Sequence, residues 1–291
     1  MKILIGDVAF HLEESGDGPG RPLLLLHGFL GASTTWSNII ESLSERRRCI
    51  AVDLLGHGDS SAPADWQRYS MTKCVADIWT LVRLLEVELP IVLGYSMGGR
   101  VAMRLTLERS DGVTAVIFES ANPGIENDND RVARLVHDEA LARRIELEGM
   151  ESFLEYWESL PLFESQHRLP EHDRQRVRRQ RLATSPIGAA NSMRGLSQGR
   201  QLPMWDALAA LAVPTLVVAG ADDATYARIA LRLEQTMPQI RVDIIPSAGH
   251  TVHLEQPAAF LASVTTFLKQ IDDEERIESR AATAMAAKGN V

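Results

Sequence analysis

Several residue types and signals are scarce in this chain, and each shortage excludes something. Cysteine occurs twice, as Cys49 and Cys74, without metal-ligand spacing. A disulfide framework is therefore not expected, and both thiols read as core residues. No apolar run approaches the roughly 20 residues that span a bilayer. The opening MKILIGDVAF alternates like strands and lacks the apolar core of a secretory signal, so a soluble cytoplasmic protein is expected. There is no G-x-x-x-x-G-K-[ST] loop and no pair of histidines at ligand spacing, so no metal or other cofactor is expected. Positive charge is in deficit, with a formal net charge of −9. That argues against nucleic acid as the partner while leaving room for a local basic pocket. Lysine is scarcer still: only four of the 30 basic residues are Lys. A small-molecule partner is expected, with the protein a monomer or a small homo-oligomer.

What is present is enough for a large core. The 291 residues, 45% hydrophobic, suit one domain or a core domain with an inserted subdomain. A short hairpin opens the chain. RPLLLLHGF is a continuous apolar run, as in a strand buried on both faces. A helix is predicted over 34–45, and RRCIAVDLLGHG is a strand ending in a glycine-punctuated loop. Residues 71–86 place Cys74, Val75, Ile78, Leu81, Val82 and Leu85 on one helical stripe. LPIVLGYS, MGGRVAMRLTLER and VTAVIFES read as strand, helix and strand. This alternation predicts an α/β fold with a mostly parallel, doubly wound sheet and ligands at the C-terminal edge of its strands.

The rhythm breaks over 122–205, a charged stretch of helical periodicity that reads as an inserted lid. It returns with VPTLVVAG, a helix near 225–236, the strand IRVDIIP and a helix near 257–270. The core is thus 1–121 and 206–270. Residues 271–291 lack a sustained apolar face and are expected to form a frayed helix or a flexible tail.

Residues 94–98, GYSMG, match G-x-S-x-G between a strand and a helix, the context of a nucleophile elbow. Ser96 would stand at its tip, with the Met97 N–H at a helix N-terminus, where negative charge is stabilised. A serine hydroxyl needs a base and the base an orienting acid, in the chain order Ser, acid, His. SAGHTVHLEQP supplies His250, with His253 as a structural or surface neighbour. VVAGADD supplies Asp223, favoured by G-x-x-D spacing over Asp222. The HGF turn offers the Phe29 N–H as a second oxyanion donor beside Met97.

LLLLHGFLG, AVDLLGHGDS, GYSMGG, VVAGADD and AGHTVHLEQP together resemble the α/β-hydrolase superfamily, over about residues 20–270. GHGDS is a frequent structural turn there, so Asp53 and His57 receive no catalytic role. Ser96 at the elbow argues against dehalogenases and epoxide hydrolases, which place Asp there.

Between Arg131 and Arg200 there are twelve Arg and no Lys, most of them expected on solvated helix faces. Arg100 lies in the first turn of the nucleophile helix, where a cation opposes the helix dipole. It reads either as a salt-bridge member or as a grip for a substrate carboxylate.

GYSMGGR, ESANPGI, Arg131, YWESLPLF, QRLATSPIGAANSMRGLSQGRQLPMWDAL and DDATYARIA resemble the family of 2-succinyl-6-hydroxy-2,4-cyclohexadiene-1-carboxylate synthases of menaquinone biosynthesis. That resemblance implies a lyase acting on a tricarboxylate 5-enolpyruvyl precursor, with loss of pyruvate. Ser96, with His250 and Asp223, would act as a base and not as an acyl-accepting nucleophile. The resemblance makes Arg100, Arg131 and Arg181 carboxylate-binding candidates, with Arg194 an alternative to Arg181, and places Tyr95 and Trp157 in the pocket wall. The competing readings are a serine hydrolase of a carboxylated small molecule and a ligand-binding receptor on the same fold.

Overall fold

A computed structural model describes residues 1–288, with side-chain surroundings through Ile277. Seven strands form one sheet: β1 (Lys2–Ile5), β2 (Val8–Leu26), β3 (Arg47–Val52), β4 (Ile91–Tyr95), β5 (Ala115–Glu119), β6 (Thr215–Gly220) and β7 (Ile240–Ile245). β1 and the start of β2 form the antiparallel hairpin, Lys2 opposite His11. The long β2 then passes β3 twice. Leu12 lies opposite Val52 and Ser15 opposite Cys49; after an irregular stretch Leu23–Leu26 runs parallel to Cys49–Val52. From there Leu23 pairs with Ile91, and the sheet continues in parallel through β4, β5, β6 and β7.

Both faces of the central strands are buried, which is why their sequences read as unbroken apolar runs. Leu24, Leu26, Val92, Val116, Phe118 and Val217 face one core; Leu23, Leu25, Ile91, Leu93, Ile117 and Leu216 face the other. Helices α2 (Met71–Leu84), α3 (Met97–Glu108) and α8 (Ala224–Thr236) cover the first face. Helices α1 (Ser37–Leu43) and α10 (Pro257–Lys288) cover the second. The helix predicted over 34–45 starts as a 3₁₀ turn, Ser33–Trp36, before α1.

Between β5 and β6 the chain forms α4 (Asp128–Glu158), a 3₁₀ segment (Pro161–Arg168), α5 (Glu171–Leu182), α6 (Pro186–Gly195) and α7 (Trp205–Ala209). Asn127 caps α4 through the N–H groups of Asn129 and Asp130, and Gly149 kinks it with a non-helical φ of 79°. Leu141, Ile145, Phe153 and Leu154 of α4 pack with Ala189, Ala190 and Met193 of α6 over Leu30, a third core above the strand ends. The remaining helix, α9 (Val252–Glu255), is one turn just after β7.

Of the frayed helix and the flexible tail expected from 271, the structure has the helix, packed at its start: α10 runs on to Lys288. Ile271 is buried in the second core, Asp272 accepts from the buried Arg47 at 2.8 Å, and Glu275 accepts from Arg21 at 2.6 Å. The charges that make this stretch look solvated are partners for arginines of β2 and β3. Residues 289–291 of that predicted tail lie outside the described residues. Among the described residues no helix is long and apolar enough to cross a membrane.

Candidate active site

Four strand ends converge beneath the inserted helices. β4 ends at Tyr95 and α3 starts at Met97, so Ser96 alone makes the turn, at φ 51° and ψ −107°. That left-handed conformation costs a non-glycine residue about 1–3 kcal/mol. Two glycines permit it: a Cβ on Gly94 would lie 2.4 Å from the Gly98 carbonyl oxygen, and one on Gly98 would lie 2.3 Å from that of Leu26. The Ser96 N–H donates to the Glu119 carbonyl at 2.8 Å, tying the strained residue to β5.

His250 approaches from the loop after β7. Its Nε2 lies 3.0 Å from Ser96 Oγ and its Nδ1 2.8 Å from Asp223 Oδ2. An ionised carboxylate only accepts, so Nδ1 carries the proton and Nε2 keeps a lone pair toward the serine hydroxyl. Asp223 is the N-cap of α8, and its Oδ1 accepts from the Tyr226 N–H at 3.2 Å. Asp222 turns away and accepts from Arg168 at 2.5 Å. Glu255 accepts from the N–H groups of Gly249 (2.7 Å) and Thr251 (3.1 Å), holding the backbone around His250. His253 is a buried neighbour: its N–H donates to Glu119 Oε1 at 2.9 Å and its Nδ1 lies 2.8 Å from Glu119 Oε2.

The HGF turn lies against the elbow, since a Cβ on Gly28 would meet the Tyr95 ring at 2.6 Å. The Phe29 N–H follows β2 and the Met97 N–H opens α3. Among the described residues neither donates to another protein group, so both remain free for an oxygen anion. His27 braces the turn: Nδ1 donates to Gly28 O at 2.7 Å, and Nε2 accepts from the Leu54 N–H at 3.0 Å. Asp53 and His57 shape the neighbouring loop. Asp53 accepts from the N–H groups of Ser33 (2.5 Å) and Asp59 (2.8 Å). His57 is fully buried and donates to Leu55 O at 3.1 Å, and burial, with His27 close by, pushes its imidazole down to about 3.

A deep cavity opens above Ser96. Phe29, Tyr95, Trp157 and Phe163 line it, with Arg100, Arg134, Arg176 and Arg181 as cations and Asp138 as the one carboxylate among its described residues. Trp157 packs edge-on to Phe29 and stacks on Phe153. The Tyr95 hydroxyl bonds Thr251 Oγ1 at 2.8 Å, and burial holds its phenol well above the ordinary range.

Arg100 is 7% exposed and donates to Gln201 Oε1 at 3.1 Å. No carboxylate pairs with it among the described residues, so the salt-bridge alternative has no partner. Burial pulls its guanidinium down to about 10, and the like charge of Arg134 adds to this, yet it stays cationic at neutral pH. Arg181 reaches the cavity while bonded to Glu158 Oε1 and Gln166 Oε1, both at 3.0 Å.

Arg131 does not reach the cavity, a correction to its candidacy. It holds the loop before α4 instead, donating to the carbonyls of Ile125 (3.3 Å) and Glu126 (3.1 Å) and to Asp128. One turn on, Arg134 faces inward beside Asp138, at 2.7 Å. The phase follows from packing: a Cβ on Gly199 would meet the Arg131 carbonyl oxygen at 2.5 Å, so that side of α4 lies against the backbone after α6. Arg194 also points elsewhere, into Glu139 and Glu146.

Tyr226, Gln166 and Thr251 were not singled out from the sequence. Tyr226 packs on His250 with ring centroids 4.5 Å apart, and burial raises its phenol. It lies within DDATYARIA, where a tyrosine three residues past the acid is the available signal. Among the described residues no group of three His, Cys, Asp or Glu side chains is placed to hold a metal ion.

Comparison with known proteins shows the family. Residues 21–257 match the family model described as the alpha/beta hydrolase fold. A Bacillus subtilis protein, provisionally named 2-succinyl-6-hydroxy-2,4-cyclohexadiene-1-carboxylate synthase, is 37% identical over 93% of this chain and 99% of its own length. The structure of MenH from S. aureus superposes with a TM-score of 0.85 at 31% identity, covering 90% of this chain and 98% of that one. A thermophilic esterase from Thermogutta terrifontis, solved with malate bound, gives a TM-score of 0.79 at 27% identity, covering 93% and 98%. The chain belongs to the α/β-hydrolase fold family and, within it, to the family of the 2-succinyl-6-hydroxy-2,4-cyclohexadiene-1-carboxylate synthases.

Proposed function

We propose that the chain is a lyase of menaquinone biosynthesis that eliminates pyruvate from 2-succinyl-5-enolpyruvyl-6-hydroxy-3-cyclohexene-1-carboxylate. The observation that carries the reading is Arg100: a buried cation with no carboxylate partner among the described residues, on the cavity that holds Ser96 and His250. A buried cation with no carboxylate bonded to it is costly in the free protein, and a carboxylate-bearing substrate supplies the partner. Arg134 and Arg181 on the inserted helices, each paired with one carboxylate (Asp138 and Glu158), add guanidinium donors for a tricarboxylate, and Phe29, Trp157 and Phe163 offer apolar surface to its ring.

The chemistry follows from the hydrogen bonds. His250 Nε2 takes the Ser96 proton as Ser96 Oγ takes the proton from the ring carbon alpha to the succinyl carbonyl, and Asp223 stabilises the imidazolium. Charge develops on the carbonyl oxygen, where the Phe29 and Met97 N–H groups receive it. The electrons then shift through the ring double bond, the bond from ring carbon 5 to the enolpyruvyl oxygen breaks, and pyruvate departs as its enolate. The enolate takes a proton to become pyruvate, returning the triad to its resting state. No acyl-enzyme forms.

The test is to supply the enolpyruvyl precursor and follow the conjugated diene and pyruvate, which should appear in equal amounts. Ser96→Ala should lose on the order of 10³-fold or more in turnover; wild-type turnover in that variant would refute the base assignment. The same triad suits ester hydrolysis, and the similar Thermogutta terrifontis protein is an esterase. Rapid hydrolysis of a simple aryl ester through a trapped Ser96 adduct, with no diene formed from the precursor, would favour that second reading.

A further inference from the structure

The 3₁₀ segment Pro161–Arg168 rests on the loops that carry the acid and the histidine. Arg168 donates to Asp222 and to the Ser247 carbonyl, and a Cβ on Gly249 would meet Ser165 Oγ at 2.0 Å. Between these contacts Gln166 is buried, 8% exposed, and both ends of its amide are engaged. Its Oε1 accepts from Arg181 Nη2 at 3.0 Å, and its Nε2 donates to Thr251 Oγ1 at 2.9 Å. A guanidinium only donates, so the orientation of the amide is fixed by chemistry. Thr251 Oγ1 in turn bonds the Tyr95 hydroxyl at 2.8 Å. Thr251 directly follows His250, and Tyr95 directly precedes Ser96.

We propose that Gln166 is a positioning residue that links the anion-gripping Arg181 of α5 to the two residues flanking the reacting pair. This rests on the lyase reading above. Glu158 and Gln166 already hold the Arg181 guanidinium, and a carboxylate drawn to it shifts that pairing; Gln166 passes the shift to Thr251 and Tyr95, and so to the Ser96–His250 distance. Gln166 touches neither Ser96 nor His250, so it acts through the network, and its effect belongs in kcat. A misplacement of about 1 Å at a reacting pair can cost about 100-fold.

Three variants test this on the intact chain with the enolpyruvyl precursor. Gln166→Leu removes both hydrogen bonds and should lower kcat about tenfold or more, with KM moving less than about threefold. Gln166→Glu still accepts from Arg181 and can accept from a reoriented Thr251 hydroxyl, so kcat should survive within about threefold. Its added carboxylate competes with substrate for Arg181, so KM should rise about tenfold. Thr251→Val breaks the same network from the other side with little change of shape and should reproduce the kcat loss. The Leu–Val double variant should be no worse than the more damaged single one, as for two members of one network. If Gln166→Leu fails to fold, the opposed kcat and KM effects of Thr251→Val and Gln166→Glu decide the matter. Wild-type kcat in both Gln166→Leu and Thr251→Val, or losses that multiply in the double variant, would overturn the proposal. Absence of diene with the wild-type chain would instead overturn the lyase reading itself.

Discussion

Replacing Arg100 by Met should make the free protein more stable and the enzyme far worse. Burial lowers the guanidinium from an ordinary 12.5 to about 10. That is a penalty of about 3 kcal/mol for holding the charge in the folded state. Met keeps much of the side-chain volume and removes the charge, while the charge-assisted hydrogen bond to the buried Gln201 is lost, at about 2 kcal/mol. The net gain of about 1 kcal/mol should raise the melting temperature by roughly 2 °C. Activity moves the other way. Losing two charge-assisted bonds to a carboxylate costs about 4 kcal/mol, a factor of about 10³ in kcat/KM. Thermal melting at pH 7 and steady-state diene formation read the two effects in one preparation. A variant that melts lower and keeps kcat/KM within about threefold of wild type would refute the assignment of Arg100 to a substrate carboxylate. Opposite signs are what a residue held at a cost to stability for the sake of function requires.

Asp223→Asn should lower kcat by about 10⁴-fold by presenting the wrong tautomer of His250 to Ser96, while Asp222→Asn, which loses only a surface contact to Arg168, should stay within about threefold; steady-state kinetics compare the pair. Arg134→Met should reduce kcat/KM at least about tenfold, whereas Arg131→Met, outside the cavity, should change it less than about threefold; equal effects would contradict the phase of α4. His57, with its imidazole down at about 3 against an ordinary 6.5, binds a proton more readily in the unfolded chain. Stability should therefore be fully present above pH 6.5 and fall on acidification by about 1.4 kcal/mol per pH unit for this residue. His57→Asn should flatten that limb in urea denaturation between pH 6.5 and 4, and an unchanged slope would show that the burial cost lies elsewhere.

The parts of the site legible in the sequence are those whose signals are local. A buried strand, a glycine-bracketed serine and a helix start lie within ten residues of Ser96. Asp223 and His250 each follow an apolar strand by a few positions. The parts that were not legible depend on contacts between distant segments. α4 carries charges around much of its circumference and is kinked at Gly149, so its periodicity does not say whether Arg131 or Arg134 faces inward. The backbone near Gly199 settles it, some 65 residues on. Gln166 looks like any polar residue in a charged segment until Arg181 and Thr251 are seen on either side of its amide. The run after 271 reads as a solvated tail because Asp272 and Glu275 pair with arginines more than 200 positions earlier.

The central claim is that Ser96 takes a proton from carbon and is never acylated. The most direct test is a single turnover with substrate deuterated at the ring carbon alpha to the succinyl carbonyl, read by diene absorbance and by intact protein mass after rapid quenching. Deuterium is expected to slow diene and pyruvate formation together while the protein mass stays that of the unmodified chain. A Ser96-linked adduct at early times, with diene formation unaffected by deuterium, would contradict that claim.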